Sequence, residues 1–153
     1  MKLDNSGYML ITEFEGLSLK PYLCPAKIPT IGYGNTYLPN GERVTLLTKE
    51  ITKKEAFEMF KVIADRFAFK VSNLVKTPLN QNQFNACVSL AYNIGMANFM
   101  NSTLLKLVNK NHNDILIGLE FKRWNKVNKK EVTGLTKRRN YEADIYFSKF
   151  SFI

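Results

Sequence analysis

The sequence is poor in the residues that build metal and redox centres: it has one histidine and two cysteines, Cys24 and Cys87, set far apart. Neither zinc-type ligand spacing nor a Cys-x-x-Cys pair is present, so no metal and no cofactor is expected. His112 sits in Lys110-Asn111-His112-Asn113, which reads as a surface loop without ligand partners. Long apolar runs are also missing. Nowhere do uncharged apolar residues extend to the roughly 20 that a bilayer-crossing helix needs. Met1-Lys2-Leu3-Asp4 opens no apolar signal-peptide core, so synthesis is expected to end in the cytoplasm. The 8 glycines and 5 prolines are scattered, and there is no repeat or low-complexity tract, which argues against a disordered or fibrous chain.

Acid is scarce relative to base. Thirteen Asp and Glu stand against 22 Lys and Arg, a formal charge of +9 that draws the protein towards polyanions. Charge alone does not choose between nucleic acid, an anionic membrane and an acidic cell wall. The densest basic stretch, Lys126, Lys129, Lys130, Lys137, Arg138 and Arg139, is not interleaved with the aromatics on which single-strand readers stack bases. A solvated face is its expected role, and no nucleic-acid partner is expected. What is plentiful is core material: 45% of the 153 residues are hydrophobic, enough for a monomer with one compact domain or two small lobes.

The pattern predicts an α+β fold. A first helix is expected from about Asn5 to Glu15, with Met9, Leu10 and Phe14 on related faces. Between Leu17 and about Leu47, Pro21, Pro25, Pro29, Gly32, Gly34, Pro39 and Gly41 break any helix, and Thr30-Ile31-Gly32-Tyr33-Gly34 alternates as a short strand does. Thr52 with Glu55 marks the start of a long helix carrying Phe57, Phe60, Ile63, Ala64, Phe67, Val71 and Leu74 towards Pro78. Asn80 with Gln83 opens the next helix, which carries Phe84, Cys87 and Val88 to a stop near Gly95. Further helices are expected from around Ser102, Asn113 and Leu135. Cys87 and Trp124 are assigned to the core. The expected organisation is a single domain over 1–153, with a β-containing lobe at about 1–50, a connecting helix at 51–77 and a helical lobe at 78–153. Two such lobes would leave a cleft suited to an extended ligand.

Taken alone, Glu15 would be an ordinary solvated carboxylate near a helix end, and Thr30 a β-branched residue chosen for its strand. Their spacing says more. Glu15-Gly16-Leu17, Pro21-Tyr22-Leu23-Cys24 and Ile28-Pro29-Thr30-Ile31-Gly32-Tyr33-Gly34-Asn35-Thr36 resemble the active-site segment of the phage lysozymes of glycoside hydrolase family 24. That family's pattern is Glu, eight residues, Asp or Cys, five residues, Thr. Three more blocks follow in family order: Pro78 to Phe84; Tyr92-Asn93-Ile94-Gly95 with Phe99 and Ser102 to Leu105; and Arg123-Trp124 with Thr133 to Arg139 and Glu142. The resemblance runs from about Glu13 to Phe147, nearly the whole chain, and identifies a branch with Cys at the second catalytic position.

The resemblance implies a lysozyme-like fold and hydrolysis of the β-1,4 bond between N-acetylmuramic acid and N-acetylglucosamine in bacterial peptidoglycan, causing host-cell lysis. Glu15 is then the catalytic acid, which must protonate the leaving oxygen while a second group acts on the other face of the sugar. Glu13 fails the spacing and is assigned to the surface. Thr30 would help hold a water beside Cys24, and Thr36, Tyr92 and Ser102 would contact the glycan.

Cys24 departs from the commoner aspartate. As a thiolate favoured by Lys20 or Lys27 it would act as base; as a nucleophile it would form a covalent intermediate; as a space-filler it would leave the water to Thr30. Water activation with inversion is the preferred reading. Asn35 replaces the family's histidine and removes a titratable group, with a structural consequence expected. Arg138 or Arg139 either orients Glu15 or lies on a solvent-facing helix start. The alternative to an active enzyme is a catalytically impaired wall-binding or other polyanion-binding protein. An enzyme of this kind, made in the host cytoplasm, would reach the periplasm through a separate membrane-permeabilising protein.

Overall fold

A computed structural model describes residues 1–148; the last five positions of the expected 1–153 domain lie outside the described residues. In chain order the elements are α1 (Asn5–Phe14), β1 (Ser18–Leu23), β2 (Pro29–Gly32), α2 (Lys53–Leu74), α3 (Gln81–Ile94), α4 (Met96–Met100), α5 (Thr103–Lys110), α6 (Leu116–Lys122), β3 (Lys126–Val127), β4 (Lys130–Glu131) and α7 (Thr133–Phe147). This is the α+β architecture expected, mostly helical. Contacts divide it into two units, Thr12–Ala64 and a second made of Met1–Ile11 with Asp65–Ile153. The first eleven residues therefore go with the helical unit and not with the β region, and the division passes through α2.

In the unit Thr12–Ala64, β1 and β2 pair antiparallel, with Tyr22 opposite Thr30 and Leu23 opposite Pro29, and an irregularity between Ser18 and Tyr22. Past β2 the chain doubles back, Ile31 bridging Asn35 and Tyr37 bridging Arg43. Gly32 (φ 68°) and Gly34 (φ 89°) supply the left-handed backbone that this reversal requires. Thr52 caps α2: its hydroxyl accepts from the Glu55 amide at 3.1 Å and donates to Glu55 Oε1 at 3.1 Å. The predicted Thr-Glu pair thus closes through side chains. Ile31, Tyr33, Val44, Ile51, Ala56, Met59 and Phe60 form the core, with the Tyr33 and Phe60 rings 5.6 Å apart.

In the other unit α3 is the buried axis. Every residue from Gln83 to Ala91 is buried, so its sequence is mostly apolar or small, and the polar Gln83, Asn85 and Ser89 among them are hydrogen-bonded. The Asn80–Gln83 capping box forms as the sequence suggested, and Gly95 (φ 89°) ends the helix. Helix α7 packs along α3, and α6 along α7. Gly7 lets α1 approach α3 closely: a Cβ there would meet Asn85 Oδ1 at 2.6 Å and Leu3 Cδ2 at 2.7 Å. Two elements were not anticipated. Helix α4 is one short turn-rich segment after Gly95, and β3–β4 is a two-residue hairpin turned by Asn128 (φ 50°) and Lys129 (φ 66°). The Asn-Lys pair in αL is the physical signal for that hairpin, masked by its lysines. Helices α6 and α7 begin at Leu116 and Thr133 instead of near Asn113 and Leu135. At α6 the delay comes from Asx turns, in which Asn111 and Asp114 side chains accept from the amides of Asn113 and Leu116. Among the described residues no helix is long and apolar enough to cross a membrane.

Candidate active site

Glu15 follows the last residue of α1. Its amide donates to Thr12 O at 3.3 Å, a tightened last turn that leaves the carboxylate half-buried, while Glu13 is exposed as expected. Gly16, with open space around its Cα, starts the run into β1.

Cys24 and Thr30 are brought together by the hairpin. The Cys24 amide donates to Ile28 O at 3.1 Å, and the Lys27 amide to Cys24 O at 2.7 Å, closing a turn in which Lys27 takes φ 62°. Thr30, 3% exposed, lies at the mouth of this turn. Hydrogen bonds hold the Cys24 thiol below its ordinary pKa: the backbone N–H of Ile28 is the largest influence, burial opposes it as the next largest, and Ala26, the Thr30 hydroxyl and Cys24's own amide lower it further in that order. The expected help from Lys20 or Lys27 is not among the causes. The turn stabilises a thiolate through aligned amides, the chemistry of a backbone nest, and not through lysine charge. Thr30 Oγ1 also lies 2.8 Å from Ile28 O, so its one proton serves either the carbonyl or the sulfur at a given moment.

Asn35 is buried where the chain doubles back after β2. It exchanges both backbone hydrogen bonds with Ile31, at 2.8 and 2.9 Å, and its buried Oδ1 faces Gly32, where any Cβ would lie 3.3 Å away. Thr36 is half-buried, and its carbonyl accepts from the Val44 amide at 2.9 Å. Glu15, Cys24, Thr30 and Thr36 thus lie in one unit, and Tyr92 and Ser102 in the other. Tyr92 is half-buried on α3 with its ring 5.2 Å from that of Phe67. Ser102 is buried and occupied locally: its hydroxyl donates to Phe99 O at 2.6 Å and accepts from the Leu105 amide at 3.1 Å, capping α5.

The sequence reading missed the buried charge cluster on α7. Arg138 (3% exposed) and Arg139 (0%) are interior, which overturns the solvent-facing alternative for this helix start. Both converge on the wholly buried Glu142. Arg139 Nε lies 2.6 Å from Glu142 Oε1, a charge contact without hydrogen-bond alignment, and Arg138 Nε lies 3.5 Å from Oε2. Ser89 donates to the same carboxylate, and Arg138 also donates to Ser89 O at 3.3 Å. Burial pushes the Glu142 carboxyl upward, opposed by Arg139, Arg138 and Ser89. The signal was present: two arginines three and four residues before a glutamate share one helix face. Cys87 is fully buried as expected, its thiol pushed up by burial and then by the charge of Glu142. Trp124 is not in the core as expected. It is partly exposed, because the chain leaves α6 there to enter the surface hairpin; its carbonyl accepts from Arg139 at 3.3 Å. Among the described residues no cluster of three His, Cys, Asp or Glu is placed to hold a metal.

These local arrangements are those of a known class. The fold is lysozyme-like: the chain superposes on the endolysin from Escherichia coli O157:H7 phage FAHEc1 with a TM-score of 0.88 and 36% identity, covering 98% of this chain and 96% of that one. A model of the family described as phage lysozyme matches residues 12–142. The endolysin of Acyrthosiphon pisum secondary endosymbiont phage 1 is 36% identical over 152 residues, 97% of this chain and 99% of the relative. That of Bacillus phage PZA is 37% identical over 150 residues, but this chain spans 56% of its length. The chain belongs to the phage lysozyme family, and with it to the glycoside hydrolases.

Proposed function

We propose that the chain is a muramidase acting as an endolysin on bacterial peptidoglycan, in the branch of glycoside hydrolase family 24 that carries cysteine at the second catalytic position. The carrying observation is the Cys24 sulfur held by amides and by Thr30 within the same unit as Glu15, in the family's order along the chain. Glu15 gives its proton to the bridging oxygen as the bond to the anomeric carbon breaks. A water oriented by Thr30 adds to that carbon from the opposite face, and its proton passes to the Cys24 thiolate. The product has inverted configuration. A thiol pulled below its usual range is better populated as thiolate than a free cysteine at the same pH.

Thr36 and Tyr92 contact the glycan in this reading. Ser102 acts through the start of α5, since its hydroxyl is already engaged there. The chain works as one monomeric catalytic domain without nucleic acid, and reaches the wall when a separate protein permeabilises the host membrane.

The decisive assay is turbidity loss of permeabilised Gram-negative cells. Glu15→Gln should abolish clearing by at least about a hundredfold, the scale of losing a general acid, while still sedimenting with purified walls. Equal clearing by this variant would defeat the proposal. Comparing Cys24→Ser and Cys24→Asp with the parent tests the role of sulfur: Ser should be slow, Asp active, and the parent closer to Asp.

A further inference from the structure

An exposed apolar stripe on α6, continuing into a cationic hairpin, has no part in the hydrolysis described. Helix α6 already buries Ile117 and Phe121, yet its opposite face is also apolar: Ile115 is 81%, Leu119 61% and Leu116 50% exposed. Positions 115, 119, 122 and 123 fall on one stripe at helical spacing, so the apolar residues run directly into Lys122 and Arg123. Phe147, 40% exposed, abuts the same helix at Gly118, where a Cβ would meet its ring at 3.4 Å. At the far end Arg123, Trp124 and Lys126 line one shallow surface depression of about 510 Å³. Lys126, Val127, Lys129 and Lys130 then stand exposed on the β3–β4 hairpin.

We infer that this face docks on an anionic lipid bilayer surface. Contiguous exposed apolar side chains rimmed by lysines and a partly exposed tryptophan fit the boundary between headgroups and acyl chains, where apolar residues insert and cations meet lipid phosphates. Two other occupants fit less well. A second copy would bring together two chains each carrying +9, face to face at their lysines. An anionic wall polymer would use the lysines but give Ile115 and Leu119 nothing apolar to bury against. Docking is peripheral, and it would hold the enzyme beside the membrane without involving the Glu15 site.

The test is co-sedimentation of the full chain with vesicles of phosphatidylcholine alone or mixed with phosphatidylglycerol. The parent should bind the mixed vesicles, bind the neutral ones at least about tenfold more weakly, and lose affinity as salt rises. Replacing both Lys126 and Lys130 by Glu should lower affinity by more than the roughly fivefold that each lost lysine represents. Leu119→Glu should lower it at least about tenfold, and the milder Leu119→Ser in the same direction. All variants should hydrolyse soluble peptidoglycan like the parent, which keeps this inference separate from the proposed activity. Failure of the parent to bind mixed vesicles, or unchanged binding by both Leu119 variants, would overturn it. So would a dimer that Leu119→Glu dissolves, or binding to anionic wall polymer that depends on Leu119 while vesicle binding does not.

Discussion

Substituting Gly7 by alanine sets two effects against each other, and the structure gives the sign. Helix propensity favours Ala over Gly by about 1 kcal/mol in a helix interior, so sequence reasoning alone forecasts a more stable protein. The Cβ, however, would sit 2.6 Å from Asn85 Oδ1, and Asn85 is buried on α3 with no route to solvent. To make room Asn85 must give up its donation to Asp4 Oδ1 at 2.8 Å and the hydrogen bond it accepts from Gln81 at 2.9 Å. The first goes to a carboxylate and is worth about 1.5 kcal/mol, and the second about 1 kcal/mol. Crowding against Leu3 adds a further cost of order 0.5 kcal/mol. Set against the propensity gain, the net destabilisation is about 2 kcal/mol. At about 2.1 cal/mol/K per residue, the 153 residues give an unfolding entropy near 0.3 kcal/mol/K, so Tm should fall by about 6 °C. Calorimetry on Gly7→Ala, Asn85→Ala and the double variant checks the reasoning, since with Asn85 truncated the added methyl should cost much less. Because α1 ends one residue before Glu15, lytic activity near the lowered Tm should fall too. A Gly7→Ala protein that melts higher than the parent would refute the argument.

Two further outcomes follow from the ionisable groups. Alkylation by iodoacetamide should consume Cys24 with a pH midpoint below that of a free cysteine and abolish lysis in parallel, while Cys87, buried with its thiol pushed up, stays unreacted in the folded protein; reaction at Cys87 first would contradict the site. Tyr8, whose hydroxyl donates to Asp65, is raised from 10.0 to about 12, mainly by burial. A phenol raised by folding contributes stability that is complete below pH 10 and is lost as pH climbs towards 12. The parent should therefore lose stability over that interval more steeply than Tyr8→Phe, as urea melts at several pH values would show.

The elements with strong local signals are legible in the sequence: Thr52 and Asn80 mark helix starts through side-chain chemistry that the structure reproduces, and Gly95 ends α3 with a positive φ. The spacing of Glu15, Cys24 and Thr30 likewise carried the family. What escaped is what depends on distant neighbours. The spacing of Arg138 and Arg139 to Glu142 could have shown that the three share a helix face, but not that this face is buried, which depends on the packing of α7 against α3. Trp124 was assigned to the core, yet it is partly exposed where the chain leaves α6. The source of the lowered Cys24 pKa was also hidden, since backbone amides have no letter in a sequence and the lysines that do proved irrelevant.

The assignment of Met1–Ile11 to the same unit as Asp65 onward bears on how the protein is born. On a ribosome residues 1–11 emerge before residues 12–64 but must wait for packing partners that come after residue 64. Bringing the waiting segment back across that stretch costs roughly 3.5 kcal/mol of loop-closure entropy, repaid only after α3, which carries Gln81 and Asn85, has left the exit tunnel. A nascent chain halted midway would therefore expose α1, and a circular permutant that starts at residue 12 and fuses residues 1–11 behind the C-terminus should fold with that delay removed.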